Sequence, residues 1–175
     1  DCNCGTDRLA QMIKKLNIDE NTVIVNVQGD EPLIDPKHID QVAKLLEDTK
    51  ADMATLCFEI DNVKDVFDLN CVKVVFDKNQ KAIYFSRAPI PYERDNFKLG
   101  NVQELKHKHY HHVGIYAYKA KTVLEYAAMS QTSLEIAESL EQLRLMENGK
   151  TIAVGICSEP PKTGVDTKED LDRIN

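Results

Sequence analysis

Val23-Ile-Val-Asn-Val27 runs without a break into Gln28-Gly-Asp-Glu-Pro32. The first five residues are a nearly continuous apolar run rich in β-branched side chains, which suits a strand buried on both faces, as in a parallel sheet. Open α/β sheets place ligands beyond the carboxyl ends of their strands. The junction therefore delivers an amide and two carboxylates, Asp30 and Glu31, to the expected ligand edge. Gln28 and Asp30 share a face if the strand continues, and Gly29 permits a turn or a close backbone approach to a ligand. A plain polar strand-to-loop junction accounts for the same residues.

Working outward, Leu9, Met12, Ile13 and Leu16 recur at helical spacing, which predicts an amphipathic helix over residues 6–16. Helical periodicity returns over 36–47 through Ile39, Val42, Ala43 and Leu46, and residues 53–58 are again strand-like. Strand and helix alternating in this way predict an α/β layered domain. Residues 72–76 and 82–85 flank Asp77-Lys-Asn-Gln-Lys81 and read as a hairpin, with Asn79 suited to the left-handed turn position. The Pro-containing segment Ser86-Arg-Ala-Pro-Ile-Pro-Tyr-Glu-Arg-Asp95 is expected to be extended. His112-Val-Gly-Ile-Tyr-Ala-Tyr118 is a further strand. Thr132-Ser-Leu-Glu135 is a capping box opening one helix whose apolar stripe is Ile136, Leu140, Leu143 and Met146, stopped by Gly149. A late strand follows at Ile152–Ile156, and after a Pro and Gly loop Thr167 and Asp170 begin a short helix.

The 175 residues suit one globular domain with a real core, and seven Gly and six Pro are too few for a low-complexity chain. No apolar run approaches the ~20 residues that cross a bilayer, so membrane insertion is not expected. A net charge of −7 argues against nucleic acid or another large polyanion as partner, leaving open a small anion held by a local cluster. Five Cys is an odd count, and nothing resembling a signal peptide precedes them, which points to a reduced, cytoplasmic compartment. Cys57, Cys71 and Cys157 sit in apolar stretches and read as buried thiols; Cys2-x-Cys4 lacks the spacing of a zinc site.

Several residues carry candidate chemistry. Gly164-Val-Asp-Thr167 places Asp166 before a helix, where it either complements the helix dipole or joins Asp30 in a hard-oxygen site suited to Mg²⁺ bridging phosphates. His107, His109 and His111 alternate, so an extended backbone places them on one side, where they suit either a transition metal or, as the better reading, a solvated polar stretch. His112 and Tyr116 lie on the other side of the strand and form either a ligand-facing pair or a satisfied core pair. Glu138 and Glu141, with Gln142, are explained by a solvated acidic face or by a substrate-facing one. Arg87 and Arg94 flank the Pro-rich segment and suit carboxylate or phosphate recognition.

Taken in order, six segments resemble those of the CMP-Kdo synthetase family, the 3-deoxy-manno-octulosonate cytidylyltransferases. They are Gly5-Thr-Asp-Arg-Leu-Ala10, Val25-Asn-Val-Gln-Gly-Asp-Glu-Pro32, Ala82-Ile-Tyr-Phe-Ser-Arg-Ala-Pro-Ile-Pro-Tyr92, His112-Val-Gly-Ile-Tyr-Ala-Tyr118, Glu138-Ser-Leu-Glu-Gln-Leu-Arg144 and Gly164-Val-Asp-Thr167. The resemblance implies a three-layer, Rossmann-like nucleotide-diphospho-sugar transferase fold with a mixed sheet, in a cytoplasmic homodimer. It implies transfer of CMP from CTP to the acid sugar Kdo, releasing pyrophosphate, for lipopolysaccharide assembly. By the same resemblance Asp30 and Asp166 would hold Mg²⁺ and, with Arg87, serve catalysis. Gln28, Arg87, Arg94, His112, Tyr116, Glu141 and Gln142 would line the sugar site, and Thr6, Asp7 and Arg8 would lie near the nucleotide. The family opens with a strand and a basic, Gly-containing loop that cradles the triphosphate, and this sequence has no such segment. On the order of seventy residues, roughly two βα units, are therefore expected to be missing before Asp1. An incomplete chain, or a fragment that holds CTP poorly and exposes a sheet edge, is the consequence. The alternatives are a cytidylyltransferase for another acid sugar and a non-catalytic remnant retaining only a dimer or binding surface.

Overall fold

A computed structural model describes residues 5–28, 34–98, 100–157 and 159. In chain order the elements are α1 (Gly5–Lys15), β1 (Val23–Val27), α2 (Pro36–Thr49), β2 (Met53–Glu59), α3 (Val63–Phe67), β3 (Lys73–Phe76) and β4 (Ala82–Ser86). They continue with α4 (Arg94–Phe97), β5 (Tyr110–Lys119), α5 (Ala120–Ala127), α6 (Ser133–Glu138), α7 (Gln142–Glu147) and β6 (Ile152–Ile156). The final helix expected after Thr167 lies outside the described residues. Among the described residues no helix is long and apolar enough to cross a membrane.

The ten-residue β5 is the hub of a six-stranded mixed sheet in the order β4-β3-β5-β2-β6, with β1 paired to β5 as well. β1, β2 and β3 all run antiparallel to β5, whereas β2 and β6 are parallel. Alternation along β2 splits the core in two: Met53 and Cys57 face one apolar cluster, and Ala54 and Leu56 face the other. The first cluster includes Ala10 and Ile13 of α1, Val123 and Tyr126 of α5, Leu143 and Leu145 of α7, and Val74 and Phe85 of the hairpin. The second is closed by Val42 and Leu46 of α2. Helices thus cover both faces, the three-layer arrangement that the resemblance implies. Cys57, Cys71 and Cys157 are buried free thiols, and burial pushes Cys57 and Cys71 up to about 12.

Several local expectations differ. β1 is antiparallel to its neighbour and only partly buried at every position, because among the described residues it pairs with β5 alone. In the β3–β4 turn the left-handed residue is Gln80 (φ 61°), not Asn79. The Asp77 carboxylate accepts from the amides of Asn79 and Lys81, which fixes the turn one residue later. The 86–95 segment is not extended to its end, since Arg94 opens the short α4. The helix start at Thr132 forms, with the Glu135 carboxylate accepting from the Thr132 amide (3.2 Å), but the helix it opens is broken. Ser139 is left-handed (φ 53°), Ile136 is exposed rather than part of an inner stripe, and α7 starts afresh at Gln142.

His109, expected to be solvated, is fully buried. Its Nε2 lies 2.9 Å from the Pro91 carbonyl and its Nδ1 3.1 Å from that of His107, with Glu93 Oε1 at 3.7 Å. Glu93 is itself buried and accepts from the amides of Lys106 and His107 and from the Asn96 side chain. The polar stretch is thus folded around one carboxylate, and the alternation of histidines is incidental to it.

Glu93, Glu135 and Glu138 share an electrostatic feature. Burial pushes each carboxyl up, but hydrogen bonds from neighbouring amides and side chains, together with the charges of His109, Arg144 and Arg87 respectively, outweigh it and hold all three below the ordinary range. A depressed carboxyl contributes stability that is complete above its unfolded value, about 4.3, and is lost as pH falls through the folded value. Urea unfolding midpoints are therefore expected to fall already below about pH 6.5, where buried His112, held down to about 3, stays neutral while the unfolded histidine gains a proton, and to keep falling below about pH 4 as the carboxyls protonate. A midpoint independent of pH down to about 3 would contradict this electrostatic reading.

Candidate active site

A cleft of about 1070 Å³ opens where β1 and β5 meet the start of α1 and the break between α6 and α7. Its floor is one face of β5, where His112, Gly114 and Tyr116 follow one another at every second residue. His112 and Tyr116 meet in a tilted contact (5.4 Å between ring centroids), and Phe85 meets His112 edge-on (5.0 Å). Gln28, at the end of β1, lies across Gly114: a Cβ there would stand 3.0 Å from Gln28 Oε1. The absence of a side chain at 114 is therefore what lets the carboxamide lie over the strand. Gly114→Ala is expected to fold, because a flexible side chain can give way, yet to displace that carboxamide. The expected result is about tenfold weaker ligand binding, the scale of one neutral hydrogen bond, with an unchanged thermal midpoint; calorimetry on the variant checks it.

The wall opposite is the α6–α7 break. Glu138 accepts from Ser86 Oγ (2.6 Å), Tyr84 OH (3.3 Å) and the Arg87 amide (2.9 Å). Arg87 returns its Nε to the Glu138 carbonyl (2.7 Å), reaches the Ser139 carbonyl with Nη2 (3.5 Å), and donates Nη1 to the Leu69 carbonyl (2.8 Å). These bonds hold the chain open at Ser139 and explain why the helix ends there. They also turn the two glutamates apart, so that Glu141 points to α1 and accepts from Thr6 Oγ1 at 3.0 Å. Gln142 follows, buried to 4% exposure, its Nε2 without a hydrogen-bond partner among the described residues. A buried amide donor on a cleft wall that no described residue satisfies is a candidate donor to a ligand.

The structure thus brings Thr6, Arg8, Gln28, Arg87, His112, Tyr116, Glu141 and Gln142 to one cleft, from segments up to 136 positions apart. Asp7 is in the first turn of α1, half-buried, and is not among the cleft's lining residues. Arg94 is not brought there: it is exposed on α4, within 3.4 Å of Asp95. Arg87, expected to meet substrate, stands at the rim with its donors directed to main-chain carbonyls. Asp30 and Asp166 lie outside the described residues. Among the described residues no group of three or more His, Cys, Asp or Glu is arranged to hold a metal ion.

Sequence reasoning missed Lys73 and Thr55. Lys73 is fully buried and donates Nζ to the Asp68 carbonyl at 2.7 Å. Burial pushes its ammonium down, against the pull of nearby Asp68 and Glu138. With Arg87 it fastens the loop that brings Asp68 and Asn70 to the cleft mouth. A lone lysine inside Val72-Lys-Val-Val-Phe76 was the available signal.

A family model described as cytidylyltransferase matches residues 1–152. The chain belongs to the cytidylyltransferase family. Among cytidylyltransferases it is 47% identical over 173 residues to a 3-deoxy-manno-octulosonate cytidylyltransferase of Actinobacillus pleuropneumoniae serotype 7 (strain AP76), covering 98% of this chain and 69% of that one. It is 49% identical over 172 residues to the enzyme of the same name from Neisseria meningitidis serogroup A, covering 97% and 68%. A solved structure of CMP:2-keto-3-deoxy-manno-octonic acid synthetase complexed with CTP superposes with a TM-score of 0.85 at 37% identity, covering 99% of this chain and 67% of that one. The mixed sheet and its helical layers are therefore those of a cytidylyltransferase known with CTP bound.

Proposed function

We propose that this chain carries the site at which CMP is transferred from CTP to the anomeric hydroxyl of Kdo, giving CMP-Kdo and pyrophosphate. The observation that carries the reading is the cleft, which unites Gln28, His112, Tyr116, Glu141 and a Gln142 amide that has no partner among the described residues. The relatives' names supply the sugar and the nucleotide. The family's setting, a cytoplasmic homodimer feeding lipopolysaccharide assembly, belongs to the same proposal.

The chemistry asks for little beyond positioning and charge balance. Both substrates are anions, and in-line approach of a hydroxyl to the α-phosphate is assisted mainly by holding the two together and offsetting their charge. On the sugar side, Gln28, Tyr116, Glu141 and Gln142 offer donors and acceptors at fixed positions on β1, β5 and the α6–α7 break. Thr6, Asp7 and Arg8 lie at the start of α1, the side proposed for the nucleotide. Thr6, by donating to Glu141, couples the two sides. Arg87 acts in the proposal by fixing the walls, and Arg94 has no part within its own chain's cleft.

A divalent cation fits the donor set. Asp30 and Asp166 offer hard carboxylate oxygens, the class Mg²⁺ prefers, and Asp30 follows β1 closely where Val27 and Gln28 line the cleft. When bound there, Mg²⁺ would offset phosphate charge and ease loss of the hydroxyl proton.

The test is pyrophosphate release from CTP and Mg²⁺ by this chain, with no sugar, with Kdo, and with sialic acid. Kdo-dependent release supports the proposal. Release that depends on sialic acid instead assigns another acid sugar, and folded protein releasing nothing with either sugar leaves the chain a binding remnant.

A further inference from the structure

Thr55, in the middle of β2, is fully buried beneath the cleft floor. It stands where the β2–β5 ladder slips: Thr55 pairs with Tyr116 but Leu56 with Val113, so β5 carries a bulge at Gly114 and Ile115. The bulge turns the carbonyls of Val113 and Ile115 toward Thr55 Oγ1, which lies 3.2 and 2.7 Å from them. The third neighbour of the same oxygen is His112 Nε2, at 3.0 Å.

A hydroxyl has one proton to give and lone pairs to receive. Carbonyl oxygens only accept, and an oxygen–oxygen separation of 2.7 Å is sustained by a proton between the two atoms. The Thr55 proton is therefore committed to the bulge carbonyls. The contact with His112 then requires Nε2 to carry hydrogen and donate to Oγ1. The ring is buried, and burial, reinforced by neighbouring His111, pushes its value down to about 3, so it is neutral. A neutral imidazole protonated at Nε2 bears its lone pair at Nδ1. Nδ1 has no hydrogen-bond partner among the described residues, and His112 lines the cleft.

We propose that Thr55 is a positioning residue that locks His112 as its Nε2–H tautomer, so that Nδ1 accepts a hydrogen bond from a hydroxyl of the bound sugar. This rests on the sugar reading of the cleft and adds to it the polarity of one contact. A neutral acceptor at this point discriminates for a hydroxyl and against a carboxylate or phosphate oxygen, which a protonated histidine would have favoured. The β5 bulge thereby has a function: it supplies the carbonyls that commit the Thr55 proton and so set the tautomer one shell out from the ligand.

The test uses histidine ¹⁵N-labelled, ligand-free chain and two-bond proton–nitrogen correlation spectra, followed by Kdo titration. In the wild type, His112 Nδ1 is expected as a lone-pair nitrogen and Nε2 as a protonated one. Thr55→Ser keeps the hydroxyl and is expected to preserve both the spectrum and the Kdo affinity. Thr55→Val is expected to lose the single tautomer and to bind Kdo about tenfold more weakly, one neutral hydrogen bond, with other histidine resonances unmoved. A wild-type ring protonated at Nδ1 overturns the proposal, whether or not Thr55→Val folds. So does a folded Thr55→Val with unchanged tautomer and affinity. An Nε2–H ring in a chain that does not bind Kdo overturns the assigned role at the level of the sugar reading, and leaves the Thr55 contact intact.

Discussion

Asp30→Asn is expected to leave the chain folded and to lower Kdo-dependent turnover by about 10²–10³-fold or more, the scale on which one electrostatic contact to developing charge counts in catalysis. The substitution keeps the volume and removes the charge. In sequence, Asp30 follows a strand whose last residues line the cleft, and the substitution would take one hard anionic donor from the proposed cation. Single-turnover pyrophosphate release across a Mg²⁺ titration checks it. Near-normal turnover at ordinary Mg²⁺ would remove Asp30 from the proposed metal site.

Arg144→Ala is expected to have the largest effect on stability, a loss of about 3–5 kcal/mol in unfolding free energy, as for other buried pairs broken on one side. Arg144 and Glu135 are both buried and bonded twice, Nε at 2.7 Å and Nη2 at 2.5 Å. The guanidinium also lies 4.3 Å over the Tyr126 ring. Truncation leaves the Glu135 carboxylate, which caps Thr132, buried without its counter-ion. Because this pair joins α6 to α7, the same change loosens the break that presents Glu141 and Gln142. Urea unfolding measures the first effect, and a loss below about 1 kcal/mol would mean the pair behaves as an exposed one.

Much of the fold was legible in the chain. The β-branched run Val23–Val27, the periodic stripe of α2 and the capping box at Thr132 each became the element their pattern predicts. What escaped were long-range effects on local signals. The helical stripe through Ile136 and Leu140 is broken because Ser86, Tyr84 and Arg87, some fifty positions away, capture Glu138. Periodicity within one segment carries no record of that capture. His109 looks solvated beside His107 and His111 until the Pro91 carbonyl and Glu93 close over it.

The candidate site divides in the same way. His112 and Tyr116 share a face because a strand alternates, and that was readable from spacing alone. Their meeting with Gln28, Glu141 and Gln142 depends on the antiparallel β1–β5 pairing and on the helix break. Resemblance named those residues, and residue chemistry alone left them undecided. Arg87 and Arg94, alike as flanking cations in sequence, separate in space: one braces two loops at the rim, the other stands in solvent.

Calorimetric titration of Kdo into the wild-type chain and into Gly114→Ala tests most directly whether this cleft is an acid-sugar site. Saturable one-to-one binding to the wild type, about tenfold weaker in the variant, is the expected result. No saturable binding to folded wild-type protein, or identical affinity in both chains, would contradict it.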